Sequence, residues 1–90
     1  MNKNKKYKKS FANKVLGILG GGQLGKMIAL EASRLGIKTC IYEPDSNAPA
    51  LQNANIIFTE EYTNTKKLKE FAKACDVITY EFENIPLKSI

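Results

Sequence analysis

Apolar positions along this chain switch between two spacings. Residues 14–19, KVLGIL, form a continuous apolar run between a polar stretch and a cluster of glycines, the mark of a strand buried on both faces. Over residues 24–35 the spacing lengthens to that of a helix. Leu24, Met27, Ile28, Ala32 and Leu35 share one side, with Lys26, Glu31 and Arg34 elsewhere, so that side is expected to face the core. Gly36 is a natural stop for this helix. Residues 38–43, KTCIYE, are β-branched and aromatic and predict a second strand. PDSNAPA then reads as a loop punctuated by Pro44 and Pro49. Residues 55–59, NIIFT, predict a brief third strand. Thr63, Asn64 and Thr65 are candidate caps for a second helix, with an inner face of Leu68, Phe71, Ala72 and Cys75. Residues 76–80, DVITY, predict a fourth strand, and Pro86 suits the first turn of a further helix.

Short apolar strands alternating with helices imply an α/β fold with a parallel sheet covered on both faces. Right-handed crossovers and a doubly wound strand order of 3-2-1-4 are the default for such an arrangement. No clear helix precedes the third strand; residues 48–54, APALQNA, are the candidate for a short one.

The first strand runs into GGGQLG. Gly20, Gly22 and Gly25 match G-x-G-x-x-G between a strand and a helix, the context that pattern requires. One glycine permits the tight turn, one lets a phosphate approach the backbone, and one lets helix and strand pack closely. Gly20, Gly21, Gly22 and Gly25 together form the candidate phosphate loop. The helix that follows presents free N–H groups and a partial positive charge, so Gln23 and Leu24 are the natural anion donors. No G-K-[ST] follows, which excludes a Walker loop. The plainer alternative is a glycine turn that only lets helix and strand pack.

A dinucleotide site makes a further demand: an acid about 20 residues on, at the end of the second strand, to hold ribose hydroxyls. Glu43 stands 18 positions after Gly25, at that strand end, which keeps an NAD-binding module as one candidate function. Glu43 also reads as a solvated carboxylate beside Pro44. A second cluster follows the fourth strand, where Glu81 and Glu83 flank Phe82. Ligands of open α/β sheets bind outside the carboxyl ends of the strands, at the switch point between strands 1 and 4. Glu81 or Glu83 is therefore placed to meet a ribose hydroxyl or an amine near the glycine loop. Two ordinary loop acids are the alternative.

Composition changes this picture in two respects. The formal charge of +5 belongs to the beginning of the chain: Lys3, Lys5, Lys6, Lys8, Lys9 and Lys14 precede every acidic residue. The remainder carries nine acidic against eight basic side chains and is nearly neutral. Residues 1–13 are expected to be a disordered basic tail, and residues 14–90 a single incomplete domain. The tail could meet RNA or another anionic surface by Coulomb attraction, but it lacks an aromatic stacking pattern, and a solvated extension is the simpler reading. The second change concerns sulfur. Cys40 and Cys75 stand 35 positions apart, with no CxxC pair and no histidine anywhere, which argues against a zinc site and leaves no metal ligands to name. Both fall in apolar periodic segments, as buried thiols of a cytoplasmic protein do. The charged start is not followed by the apolar run of a secretory signal, and no stretch is long enough to span a membrane.

Two stretches taken together, LGILGGGQLGKMIALEASRLGIKTCIYEPDSNAPA and DVITYEFENIP, resemble the start of the N5-carboxyaminoimidazole ribonucleotide synthetases, ATP-grasp enzymes of purine biosynthesis. The resemblance covers residues 14–90. It implies a Rossmann-like pre-ATP-grasp fold. It also implies the family's reaction: aminoimidazole ribonucleotide, ATP and bicarbonate give the N5-carboxylated product, ADP and phosphate, with Mg²⁺. By resemblance Gly22, Gln23 and Leu24 meet the sugar-phosphate substrate through the loop, and Glu81 contacts its ribose or amino end, with Glu83 a weaker carry-over. Lys26 stands where arginine is common in the family, and Asn55 where aspartate is frequent. Family chains are several times longer, and their ATP and Mg²⁺ ligands belong to central and C-terminal parts. Phosphoryl transfer needs that apparatus to position phosphates, so no catalytic residue is expected here. A separately encoded ATP-grasp remainder becomes the candidate partner.

Overall fold

A computed structural model describes residues 13–80. The expected basic tail, Glu81, Glu83 and the helix start at Pro86 lie outside the described residues, apart from Asn13. The elements are β1 (Val15–Leu19), α1 (Gln23–Arg34), β2 (Lys38–Tyr42), a 3-10 helix (Pro49–Asn53), β3 (Ile56–Phe58), α2 (Thr65–Ala74) and β4 (Val77–Tyr80). All four strands pair in parallel in the order β3-β2-β1-β4, the doubly wound order the pattern predicts. The short helix expected before the third strand is present as the 3-10 helix.

Alternation along the strands sorts side chains to two faces. Ile18 and Ile41 join Ala29 of α1 and Ala48, Ala50 and Leu51 around the 3-10 helix. Cys40 and Tyr42 join Tyr62 and Phe71 on the opposite face, with Leu68 and Cys75 packed against them. Tyr42 is fully buried and lies between three rings, with centroids 5.5 Å from Phe71, 5.6 Å from Tyr62 and 6.1 Å from Phe58. Its hydroxyl donates to the Glu61 carbonyl at 2.6 Å, which satisfies the one polar group this ring brings inside.

Local chemistry explains the element ends. Asn64 caps α2, its side chain accepting from the Lys67 amide at 3.1 Å. Gly36 ends α1 with φ of 77°, a left-handed value open to glycine. There the Ile37 amide donates to the Ala32 carbonyl and the Gly36 amide to that of Ser33, the double closure of a Schellman turn. Asn55 accepts the Thr39 amide on its side chain at 2.8 Å and donates its own amide to the Thr39 carbonyl at 3.0 Å. An aspartate would accept the same bond, so asparagine at this position keeps the contact.

One expectation about packing is corrected. The side of α1 that meets the sheet is Gly25, Ala29 and Ala32. Of the side assigned to the core by spacing, Ala32 is buried and Ile28 packs against the core, but Leu24, Met27 and Leu35 are 44%, 65% and 66% exposed. Gly25, Ala29 and Ala32 are also a helical stripe, and their small side chains let the helix lie close to the strands. In α2 the expected inner face holds at Phe71, Leu68 and Cys75, while Ala72 is exposed.

Candidate functional site

The glycine loop lies at the carboxyl end of the sheet, where β1 gives way to α1. Leu19 pairs with Tyr42 on one side and Tyr80 on the other. The ends of β2 and β4 therefore stand level with the start of the loop. Gly20 has φ of 104°, which makes the turn that only glycine adopts easily. Its amide donates to the Tyr42 carbonyl at 2.8 Å.

Gly21 has both polar groups engaged. Its amide donates to Glu43 Oε1 at 2.7 Å, and its carbonyl accepts from the Ala50 amide at 2.9 Å. Glu43 Oε2 accepts from the Asp45 amide at 2.9 Å. Glu43 is only 7% exposed. The reading of Glu43 as a solvated strand-end carboxylate is thus corrected: the side chain turns back under the loop and braces it. A Cβ at Gly21 would stand 3.1 Å from both Cβ and Cγ of Glu43, so a side chain there would press on the brace.

Beyond Gly21 the loop opens. Gly22 occupies the position just before α1 in an extended conformation, with no side-chain cap and no acidic residue in the first turn. The first amides of a helix have no partner within it. Accordingly, Gly22, Gln23 and Leu24 have no acceptor for their amides among the described residues. Gln23 and Leu24 are exposed, and Gly25 is buried. The mouth of α1 therefore carries a partial positive charge, of roughly half a unit, facing solvent. Beside it is a crevice of about 330 Å³ lined by Gly22, Glu43, Asp45, Asn47, Ala48 and Pro49.

The structure brings Gly21 and Gly22 together with Glu43, while Gly20, Gln23, Leu24 and Gly25 are joined to them along the chain. Sequence reasoning missed the Ala50 and Asp45 amides as parts of the loop's scaffold. No local signal marks them, because both act through the backbone. Among the described residues, no group of three or more His, Cys, Asp or Glu stands together to hold a metal ion. No helix among them is long and apolar enough to cross a membrane. Cys40 and Cys75 are free thiols. Burial pushes the Cys40 thiol up to about 12, with Cys75 adding to the effect, and burial likewise raises Cys75. Both shifts favour the protonated thiol.

The sequence model of the ribonucleotide synthetase preATP-grasp domain matches residues 13–90. The chain belongs to this family. As a preATP-grasp domain it is similar to two N5-carboxyaminoimidazole ribonucleotide synthases. That of Brucella melitensis is 51% identical over 74 residues, which are 82% of this chain and 20% of that protein. That of Bacillus subtilis is 44% identical over 71 residues, 79% of this chain and 19% of that protein. Among solved structures, the ADP complex of purK, an N5-carboxyaminoimidazole ribonucleotide synthetase, superposes with a TM-score of 0.78. It shares 43% identity over 84% of this chain and 20% of its own. The Thermotoga maritima synthetase superposes with a TM-score of 0.75, at 36% identity over 84% of this chain and 21% of its own. The preATP-grasp domain thus spans about a fifth of the length of the relatives it matches.

Proposed function

We propose that this preATP-grasp domain is the substrate-holding part of an N5-carboxyaminoimidazole ribonucleotide synthetase. It holds the phosphate of aminoimidazole ribonucleotide on the amides of Gly22, Gln23 and Leu24. The observation that carries the reading is the open, uncapped mouth of α1 in a chain of this family. Three successive amides without an acceptor among the described residues, with the helix dipole behind them, suit an anion with several acceptor oxygens. The sugar then extends over the carboxyl ends of the strands. Glu81 follows Tyr80, whose partner Leu19 leads into the loop, and the family resemblance assigns it a ribose hydroxyl or the amine.

The domain's contribution is to bind and orient. Phosphoryl chemistry belongs to ATP and Mg²⁺, which the resemblance places in the other parts of such an enzyme, in the cytoplasm. Two solved relatives were obtained with ADP. This reading requires an ATP-grasp portion to complete the enzyme.

The test is a titration of the ¹⁵N-labelled chain with ribose 5-phosphate, followed by NMR. The Gly22, Gln23, Leu24 and Glu81 amide signals are expected to move together and saturate. Unmoved signals at about tens of millimolar, a concentration at which even very weak binding shows, would sink the proposal.

A further inference from the structure

We infer that Glu43 determines specificity by position: its buried carboxylate fills the anion place at Gly21 and leaves a mouth shaped for one phosphate rather than two. The inference rests on the phosphate reading of that mouth given above. In the dinucleotide arrangement the acid at the end of the second strand reaches outward to a ribose, and the pyrophosphate lies on the glycine turn and the helix N-terminus. Here the acid at that position is turned inward. Glu43 Oε1 takes the Gly21 amide at 2.7 Å and Oε2 the Asp45 amide at 2.9 Å. Both are charge-assisted bonds of the stronger kind.

Three further contacts make this arrangement rigid. The Gly21 carbonyl is held by Ala50, the Gly20 amide by Tyr42, and the space over Gly21 is closed by Glu43 and by Ala48, whose Cβ would stand 3.4 Å from an added Cβ. A phosphate group over Gly21 would meet a carboxylate where the dinucleotide pattern offers an N–H. Asp45, which lines the crevice with Glu43, adds a second negative charge on that side. In the next three residues, the Gly22, Gln23 and Leu24 amides see the helix dipole, with Lys26 on the first turn. A single phosphate on these amides need not lie over Gly21; a diphosphate spanning the loop must.

The test compares ribose 5-phosphate with NAD on the whole 90-residue chain, wild type and Glu43→Gln, by NMR titration. Glutamine keeps the shape and removes the charge. The affinity for NAD relative to ribose 5-phosphate is expected to rise about tenfold in the variant, from loss of one like charge at close range. A brace with no other role would weaken both ligands alike, so an unchanged ratio overturns the inference. The wild type supplies a second measurement, independent of how the variant folds. Ribose 5-phosphate should move the Gly22 to Leu24 amides and leave the Gly21 amide in place. A Gly21 shift larger than theirs also overturns it. If ribose 5-phosphate binds nowhere on the wild type, the phosphate reading fails first and takes this inference with it.

Discussion

Asp76 and Val15 exchange two hydrogen bonds at the foot of the sheet. The Val15 amide donates to Asp76 Oδ2 at 2.7 Å, and the Asp76 amide donates to the Val15 carbonyl at 2.9 Å. Asn55 and Thr39 do the same at the foot of β2 and β3. In each pair a side-chain oxygen adds one rung to the parallel ladder where the backbone alone would leave an amide unmatched. Replacing Asp76 by alanine is expected to cost about 1 kcal/mol, the usual net worth of one such bond. Asp76→Asn retains an acceptor oxygen and should cost less. Urea unfolding of the two variants checks the order.

Gly17 lies under the second helix. A Cβ there would stand 3.0 Å from Cys75 Cβ and 3.0 Å from Phe71 Cζ, and closer still to Cys75 Sγ. Gly17→Ala is therefore expected to overpack this face and destabilise by about 1–3 kcal/mol. The sulfur is the nearest obstacle, so Cys75→Ala should recover part of that loss. Thermal unfolding of the double variant, compared with the two single ones, measures the coupling.

Alkaline pH should weaken the fold through Cys40. Its thiol titrates near 9.0 when free and is pushed up to about 12 in the folded chain, first by burial and then by Cys75. The folded state therefore holds this proton where the unfolded state has lost it. The contribution is whole below about pH 9 and is lost as pH rises toward 12. Burial raises Tyr42 in the same direction. Cys40→Ala should flatten the decline in stability between these limits, read from urea midpoints at several pH values.

Gln23 is the first residue of α1. Proline is tolerated at that position, since its missing N–H has no partner in the helix. Gly22 before it is already extended, with φ of −75° and ψ of −160°, as a residue preceding proline must be. Gln23→Pro should leave the fold intact and remove one of the three amides at the mouth. Binding of ribose 5-phosphate is expected to weaken about tenfold, the loss of one hydrogen bond to a charged group. Gln23→Ala keeps the amide and should bind nearly as wild type does. Equal binding by the proline variant would show that the backbone at 23 does not hold the phosphate.

Much of this domain was legible along the chain. The order of elements followed from the change in apolar spacing, and the strand order from the general preference of doubly wound sheets. Gly36 and Asn64 ended and began helices as their chemistry requires. The glycine loop announced the tight turn made at Gly20. These are local properties, decided by residues within one or two turns of one another.

Two decisions belonged to the tertiary structure. The apolar spacing of the first helix marks Leu24, Met27, Ile28, Ala32 and Leu35. Ala32 is buried and Ile28 packs against the core, but Gly25 and Ala29 complete the buried side while Leu24, Met27 and Leu35 stay exposed. The closeness of helix to sheet after the glycine turn selects small side chains, and spacing alone carries no measure of that distance. Glu43 is the other case. Its place at the strand end was plain, but whether its carboxylate reaches outward or back to Gly21 depends on a loop 22 positions away. A buried carboxylate needs donors, and only the folded chain brings the Gly21 and Asp45 amides to the same two oxygens.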